Sequence, residues 1–543
     1  MITAAAWVPR GYAAPFPNKY NFDEAEFARI AELAKLQLDD AKEDLEEAQV
    51  PGSASFESED NEPAVSRIKK SRKVQPREKI EIDDDLKEYD LEHYDDEEAD
   101  SQQAGQQMGM FGNVKSLAYY ESNKDDPYIT LQGNGQDDDE DDDREDLEIL
   151  ATDNLLLAAK IEDELAHLEV YVYEDKEDNL YVHHDIMLPA IPLCLERIDI
   201  SVGKQGVDKE SLANFVAIGT FDPDIEVWDL DTVDCMYPNA ILGQGGSTED
   251  GKRKKKKKKS KKPNDDYHVD AVLALAANRK HRNLLASASA DVTIKLWDLH
   301  TTKAAKSYNY HTDKICSLAW SPVESTVLLS GSYDRTVAAA DMRAPNVEPT
   351  RIGLESDVEN VRWDPHDPSY FFVSTESGLV HYFDIRSAST DPSKSKSVWR
   401  LQAHDESVSS FDINPMIPGF MATGSEDKTV KLWNVGPQGP SMVISRDLDV
   451  GKIFTTSFAP DDEVAFRLAV AGSKGAVRVW DTSTNPAVRN AFGSKVPINS
   501  EGREGVEDRL VAVGEDDDTE TSSDDEGAED AGVDGDGDES MGG

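Results

Sequence analysis

Cysteine is scarce. The 543 residues contain three (Cys194, Cys235 and Cys316), widely separated and without a CxxC pair. This spacing excludes a disulfide framework and, with no histidine cluster at zinc-ligand spacing, gives a structural metal site no support; a reducing compartment is expected. Long apolar runs are also missing. Nothing approaches the roughly 18 apolar residues of a membrane-spanning helix. The opening MITAAAWVPRG has neither the basic start nor the long apolar core of a secretory signal. The expectation is a soluble, intracellular protein without membrane association. Positive charge is the third shortage: 57 Lys and Arg stand against 109 Asp and Glu, a net charge of −52. Phosphate contacts need a cationic face, so the chain as a whole is not built to bind nucleic acid. No nucleophile with its base and orienter, no phosphate-cradling glycine loop and no metal-ligand set can be picked out. No catalytic residue or cofactor is therefore assigned, and an enzyme is the least supported class.

The acidity is unevenly placed. Residues 1–112 carry 13 basic against 27 acidic side chains, residues 113–150 carry 3 against 13, and residues 501–543 carry 2 against 18. The stretch 151–500, with 39 against 51, holds most of the Val, Ile and Leu runs and seven of the eight tryptophans. The folded mass is expected there.

What organises that stretch is a repeat. FVAIGTFDPDIEVWDL, LLASASADVTIKLWDL, LLSGSYDRTVAAADMR, FVSTESGLVHYFDIR, MATGSEDKTVKLWNV and LAVAGSKGAVRVWDT each give a strand, a tight turn and a second strand. They close at Trp228, Trp297, Ala340, Phe383, Trp433 and Trp480, with 43 residues between the closest successive pairs. A period of about 40 to 45 ending in Trp-Asp marks the four-stranded blade of a WD-repeat β-propeller. Asp222, Asp291, Asp334 and Asp427 lie six residues before their closing positions, where a carboxylate can accept hydrogen bonds across the turn. His268, His311 and His404 precede three of the copies. In WD repeats such a His joins Ser or Thr, Asp and Trp in a buried hydrogen-bonded tetrad, so these residues read as structural. A weaker copy, LLLAAKIEDELAHLEVYVYED, closes at Tyr173 and makes seven blades. Ring closure is expected through an outer strand for blade seven drawn from residues 113–122 or 127–131, which would leave no unpaired edge.

The predicted organisation is an N-terminal peptide and helix (1–50), a disordered acidic linker (51–112), an all-β seven-bladed propeller (113–500, with an acidic insertion at 132–148 and a Lys-rich insertion at 243–266), and a disordered acidic tail (501–543). Within 1–50, the helix runs from about Asp23 to Gln49. Its narrow apolar stripe of Phe27, Leu38, Leu45 and intervening alanines reads as a docking face for a partner. Ahead of it, AWVPRGYAAPFPNKY is aromatic and Pro-rich; it is expected to lie extended in a partner's groove, with Trp7 as anchor beside Pro9 and Arg10. The Lys-rich insertion contains Lys252, Arg253, Lys254, Lys255, Lys256, Lys257, Lys258, Lys259, Lys261 and Lys262, ten basic residues in eleven. So many like charges cannot be packed, and such a run suits a nuclear import receptor or RNA phosphates. A weaker run, RIKKSRK, starts at Arg67. Ser522 and Ser523 precede an Asp-Asp-Glu sequence and are candidate phosphorylation sites.

WVPRG, FPNKY and a helix, then an acidic linker, seven irregular Trp-punctuated blades and a Lys-rich insertion together resemble the periodic tryptophan protein family over nearly the whole chain. The resemblance implies a nuclear, largely nucleolar WD-repeat protein that assists ribosome biogenesis and maturation of large-subunit precursor rRNA. Its partners would be large-subunit precursor proteins, assembly factors and precursor rRNA, with the chain a monomer inside a larger complex. Two other readings stand beside this. The acidic tracts could attract histones, as in a chromatin regulator of rRNA genes. Asp341-Met-Arg343 and Asp384-Ile-Arg386 are similar to the adaptor-binding boxes of cullin-type ubiquitin ligase receptors, although a local Asp and Arg ion pair is the plainer account of them.

Overall fold

A computed structural model of the chain describes residues 1–20, 147–163, 165–202, 212–243, 263–388, 395–493, 495 and 509–512. They form a seven-bladed β-propeller: seven four-stranded antiparallel sheets, with one two-stranded ladder beside them. Blade three shows the plan with strands Val272–Ala277, Leu284–Ser289, Ile294–Asp298 and Lys303–Tyr308. The small and aliphatic residues of its inner three strands are buried on both faces because each sheet is sandwiched between its neighbours. The first strands of successive blades touch one another around the whole ring. All seven closing positions fall on third strands, Tyr173 on Leu165–Glu174 and Phe383 on Leu379–Asp384 included.

Closure differs from expectation. The outer strand of blade seven is Leu510–Ala512, paired with Val477–Asp481, and lies inside the predicted acidic tail. Segments 113–122 and 127–131 lie outside the described residues. The N-terminal peptide is the second correction. Ile2–Val8 is the first strand of blade one and pairs antiparallel with Asn154–Glu162, so the propeller begins at the N-terminus rather than at residue 113. Blade one needs it: Asn154–Glu162, Leu165–Glu174 and Asn179–Leu188 supply only three strands. From Val8 the chain crosses one face of the ring to Asn18–Lys19, which pairs in parallel with Thr232–Val233 of blade two.

First strands begin on the face that carries the turns between second and third strands, here the upper face; Met1 lies there beside Gly475. Residues 9–20 run over the lower face, past Asp461 of blade seven. The residues framing the long insertion of 21–146, Tyr20 and Leu147, are therefore on the lower side. Gly243 and Pro263, which frame the Lys-rich run, and Ala512, which leads into the acidic tail, follow or precede strand ends on the upper side.

Candidate functional site

In blades three and six the His, Asp and Trp residues picked out in the repeat are brought together; Asp222 of blade two meets Thr220 only through its backbone, and the buried Trp480 indole N–H of blade seven has no hydrogen-bond partner among the described residues. In blade three, Trp297 Nε1 donates to Ser287 Oγ (2.8 Å), Ser287 Oγ bonds His268 Nε2 (2.7 Å) and His268 Nδ1 bonds Asp291 Oδ2 (3.0 Å). A carboxylate can only accept, so the proton between His268 and Asp291 sits on Nδ1, and Nε2 is left to accept from the serine. Blade six repeats the chain through Trp433, Thr423, His404 and Asp427 at 2.9, 2.8 and 2.7 Å. Burial holds the His268 and His404 pKa values below the usual range, against the pull of their aspartates. Burial pushes Asp291 upward, but hydrogen bonds led by His268 outweigh it and bring the carboxyl down to about 2. The same aspartates clamp the turn. In Asp291-Val292-Thr293, Asp334-Arg335-Thr336 and Asp427-Lys428-Thr429, the aspartate accepts from the Thr N–H at 2.9 Å and from its hydroxyl at 2.6 or 2.7 Å. This holds the middle residue at φ of 69°, 62° and 69°, an unfavourable conformation for a side chain such as Val292.

Two blades replace the missing partner by different chemistry. In blade four, where Ala340 stands at the Trp position, His311 bonds Ser330 (2.9 Å) and Asp334 (3.0 Å) as expected. The donor role of the indole passes to Tyr310, whose hydroxyl reaches Ser330 Oγ at 3.2 Å. In blade two, Ile218 takes the place of the tetrad hydroxyl and Trp228 Nε1 donates to Glu226 Oε2 instead (3.0 Å). Glu226 is 8% exposed, and burial raises its pKa to about 7.

Trp7 and Arg10 are used inside the fold, which corrects their assignment to partner docking; Pro9 between them is half-buried and lines a small groove. The Trp7 indole is 7% exposed, donates to the Ser457 carbonyl at 3.1 Å across the seam and meets Tyr173 edge-on at 5.9 Å. The Arg10 guanidinium spans Asn154 (2.9 Å) and Glu463 (2.5 Å). On the second strand of blade seven, Arg467, 2% exposed, bonds Tyr173 (2.9 Å) and Asp175 (2.5 Å) of blade one and pairs with Asp481 (2.6 Å) of its own blade. This seam was missed in the sequence, although ITAAAWV is seven uncharged residues, the signature of a buried strand.

Arg343 and Arg386 are exposed, and each folds back on the aspartate two residues earlier, at 2.7 Å to Asp341 and 2.8 Å to Asp384. The proposed helix with Phe27, Leu38 and Leu45, the run Lys252 to Lys262, and Ser522 and Ser523 lie outside the described residues.

The WD domain, G-beta repeat family model matches residues 302–338 and 395–434. An uncharacterized WD repeat-containing protein of Schizosaccharomyces pombe is 48% identical over 527 residues, which cover 97% of this chain and 96% of that one. Periodic tryptophan protein 1 of Saccharomyces cerevisiae is 38% identical, with 91% of this chain and 90% of its own covered. This chain belongs to the periodic tryptophan protein 1 family. The Drosophila melanogaster periodic tryptophan protein 1 homolog extends the likeness at 31% identity over 91% of this chain and 96% of its own. In this member of the periodic tryptophan protein 1 family, Trp228, Trp297, Trp433 and Trp480 are all buried supports of their blades.

Proposed function

We propose that the protein is a non-catalytic scaffold of the nucleus and nucleolus that gathers components of the large ribosomal subunit precursor. The observation that carries this reading is how its side chains are used. The His and Asp residues of blades three, four and six are bonded into hydrogen-bonded chains and turn clamps, leaving a ring whose chain leads into strongly charged sequences. The Lys252 to Lys262 run supports nuclear import and local contact with precursor rRNA phosphates. The acidic tracts suit basic ribosomal proteins and assembly factors, which long tethered segments would hold at high effective concentration. The stripe of Phe27, Leu38 and Leu45 offers a separate docking face, and Ser522 and Ser523 offer phosphorylation sites that would add charge. Removing Lys252 to Lys262, which leaves every described strand intact, should lower nuclear accumulation and reduce ultraviolet cross-linking to RNA. Unchanged accumulation and unchanged cross-linking would remove the run from the mechanism.

A further inference from the structure

On the lower face, between blades five and six, lies a cleft of about 360 Å³. One wall is a ladder of three aromatic rings from adjacent strands of blade five. Tyr370 stacks on Tyr382 at 4.9 Å and 7°, and Tyr382 on Trp399 at 5.1 Å and 15°. The opposite wall includes Val435, Gly436 and Pro437 of blade six, and Val398 at the rim is 58% exposed. At the end formed by the first turn of blade five stands Asp364, with Asp367 three residues further on.

The carboxylates at this end of the cleft are held by hydrogen bonds rather than by ion pairs. Among the described residues, neither Asp364 nor Asp367 makes an ion pair. Asp364 accepts from the Tyr382 hydroxyl (2.9 Å) and from the His366 and Asp367 N–H groups (2.9 and 3.3 Å); Asp367 accepts from the Ser369 N–H (3.1 Å). Two cations lie nearby: Arg386, paired with Asp384, has its guanidinium over the Tyr370 ring at 5.5 Å and donates to the Tyr370 hydroxyl (3.3 Å), and Lys495 donates to the Pro418 carbonyl at 2.7 Å. An apolar aromatic slot ending in a carboxylate that makes no ion pair, Asp364, is complementary to a cation on an apolar stem. Arginine meets both demands, because its apolar stem can lie along the edges of the stacked rings while its guanidinium presents a fork of donors to a carboxylate. We propose that this cleft receives an arginine side chain from a basic protein partner, with the stem along the Tyr382 and Trp399 wall and the guanidinium at Asp364. The inference rests on the scaffold reading only for the class of partner, and it assigns the recognition to one place on the ring.

The test uses the full-length protein and a twelve-residue Arg-Gly repeat peptide carrying one diazirine, compared with the same peptide in which citrulline replaces arginine. Photo-cross-links located by mass spectrometry should fall at residues 398–399 and 435–437 with the arginine peptide and be at least about fivefold weaker with citrulline. Asp364→Asn should weaken them to a similar degree, while cross-links to the acidic tail, an internal control, persist. Equal labelling of the cleft by both peptides overturns the proposal, as does labelling confined to the acidic tracts or a folded Asp364→Asn protein that labels normally. Should Asp364→Asn fail to fold, since its carboxylate also supports a turn, the citrulline comparison on the unaltered protein decides alone. Loss of the wider scaffold role would show in particle binding and leave this cross-link untouched, so the two readings fail separately.

Discussion

Replacing Trp7 by alanine separates a structural from a docking role for the N-terminal peptide. The indole is 7% exposed, lies in a cluster with Ile2, Tyr173, Val477 and Val479, and donates one hydrogen bond across the seam. Truncating a buried tryptophan costs about 3–5 kcal/mol through lost burial and the cavity left behind, and the orphaned Ser457 carbonyl falls within that range. Unfolding entropy is about 2.1 cal/mol/K per residue, or ~0.7 kcal/mol/K over the roughly 340 described residues. If the ring melts as one unit, Trp7→Ala should therefore lower Tm by about 4–7 °C. Trp7→Phe keeps most of the ring's bulk and loses the hydrogen bond, so a fall of about 1–3 °C is expected. Differential scanning calorimetry of the full chain measures both. A Trp7→Ala protein that melts within 1 °C of the parent, yet loses its partners, would refute the reasoning and restore the docking role.

Further predictions rest on single side chains. Burial raises Glu226 from an ordinary carboxylate value of 4.5 to about 7, so its contribution to stability is complete below pH 4.5 and lost as pH rises through about 7. Glu226→Gln, which keeps an acceptor for Trp228, should match the parent at pH 4.5 and exceed its stability by about 3 kcal/mol at pH 8 in denaturant titrations; a pH-independent difference would contradict this. Tyr310→Phe should cost about 1 kcal/mol by losing the bond to Ser330, measured by urea unfolding, and no loss would mean that blade four holds without a substitute for its missing indole.

Much of the ring was legible because a propeller blade is coded locally. Turn aspartates, closing aromatics and tetrad histidines recur at fixed offsets, so even the irregular Tyr173 and Phe383 blades were found. What escaped was pairing set by distance rather than by pattern. Ile2–Val8 bonds to Asn154–Glu162 across an insertion of more than a hundred residues, and its run of alanines shows no alternation. Leu510–Ala512 is three residues in an acid-rich stretch, too short to register against composition. The replacements at Tyr310 and Glu226 were hidden for a related reason: they depend on which side chain fills the space left by Trp or Ser, and only packing decides that. The aromatic ladder of blade five was invisible because Tyr370, Tyr382 and Trp399 are neighbours across strands, not along the chain.

Because Ile2–Val8 is a blade strand, tests of partner docking must spare residues 1–20 and remove residues 21–50 alone. The most direct measurement purifies the full-length protein at moderate salt, sediments it through a gradient and sequences the RNA in its peak. A scaffold of large-subunit assembly should run in a heavy peak containing large-subunit precursor rRNA, and the protein lacking residues 21–50 should move to lighter fractions with its melting temperature unchanged. A light, RNA-free peak for the full-length protein would contradict the account.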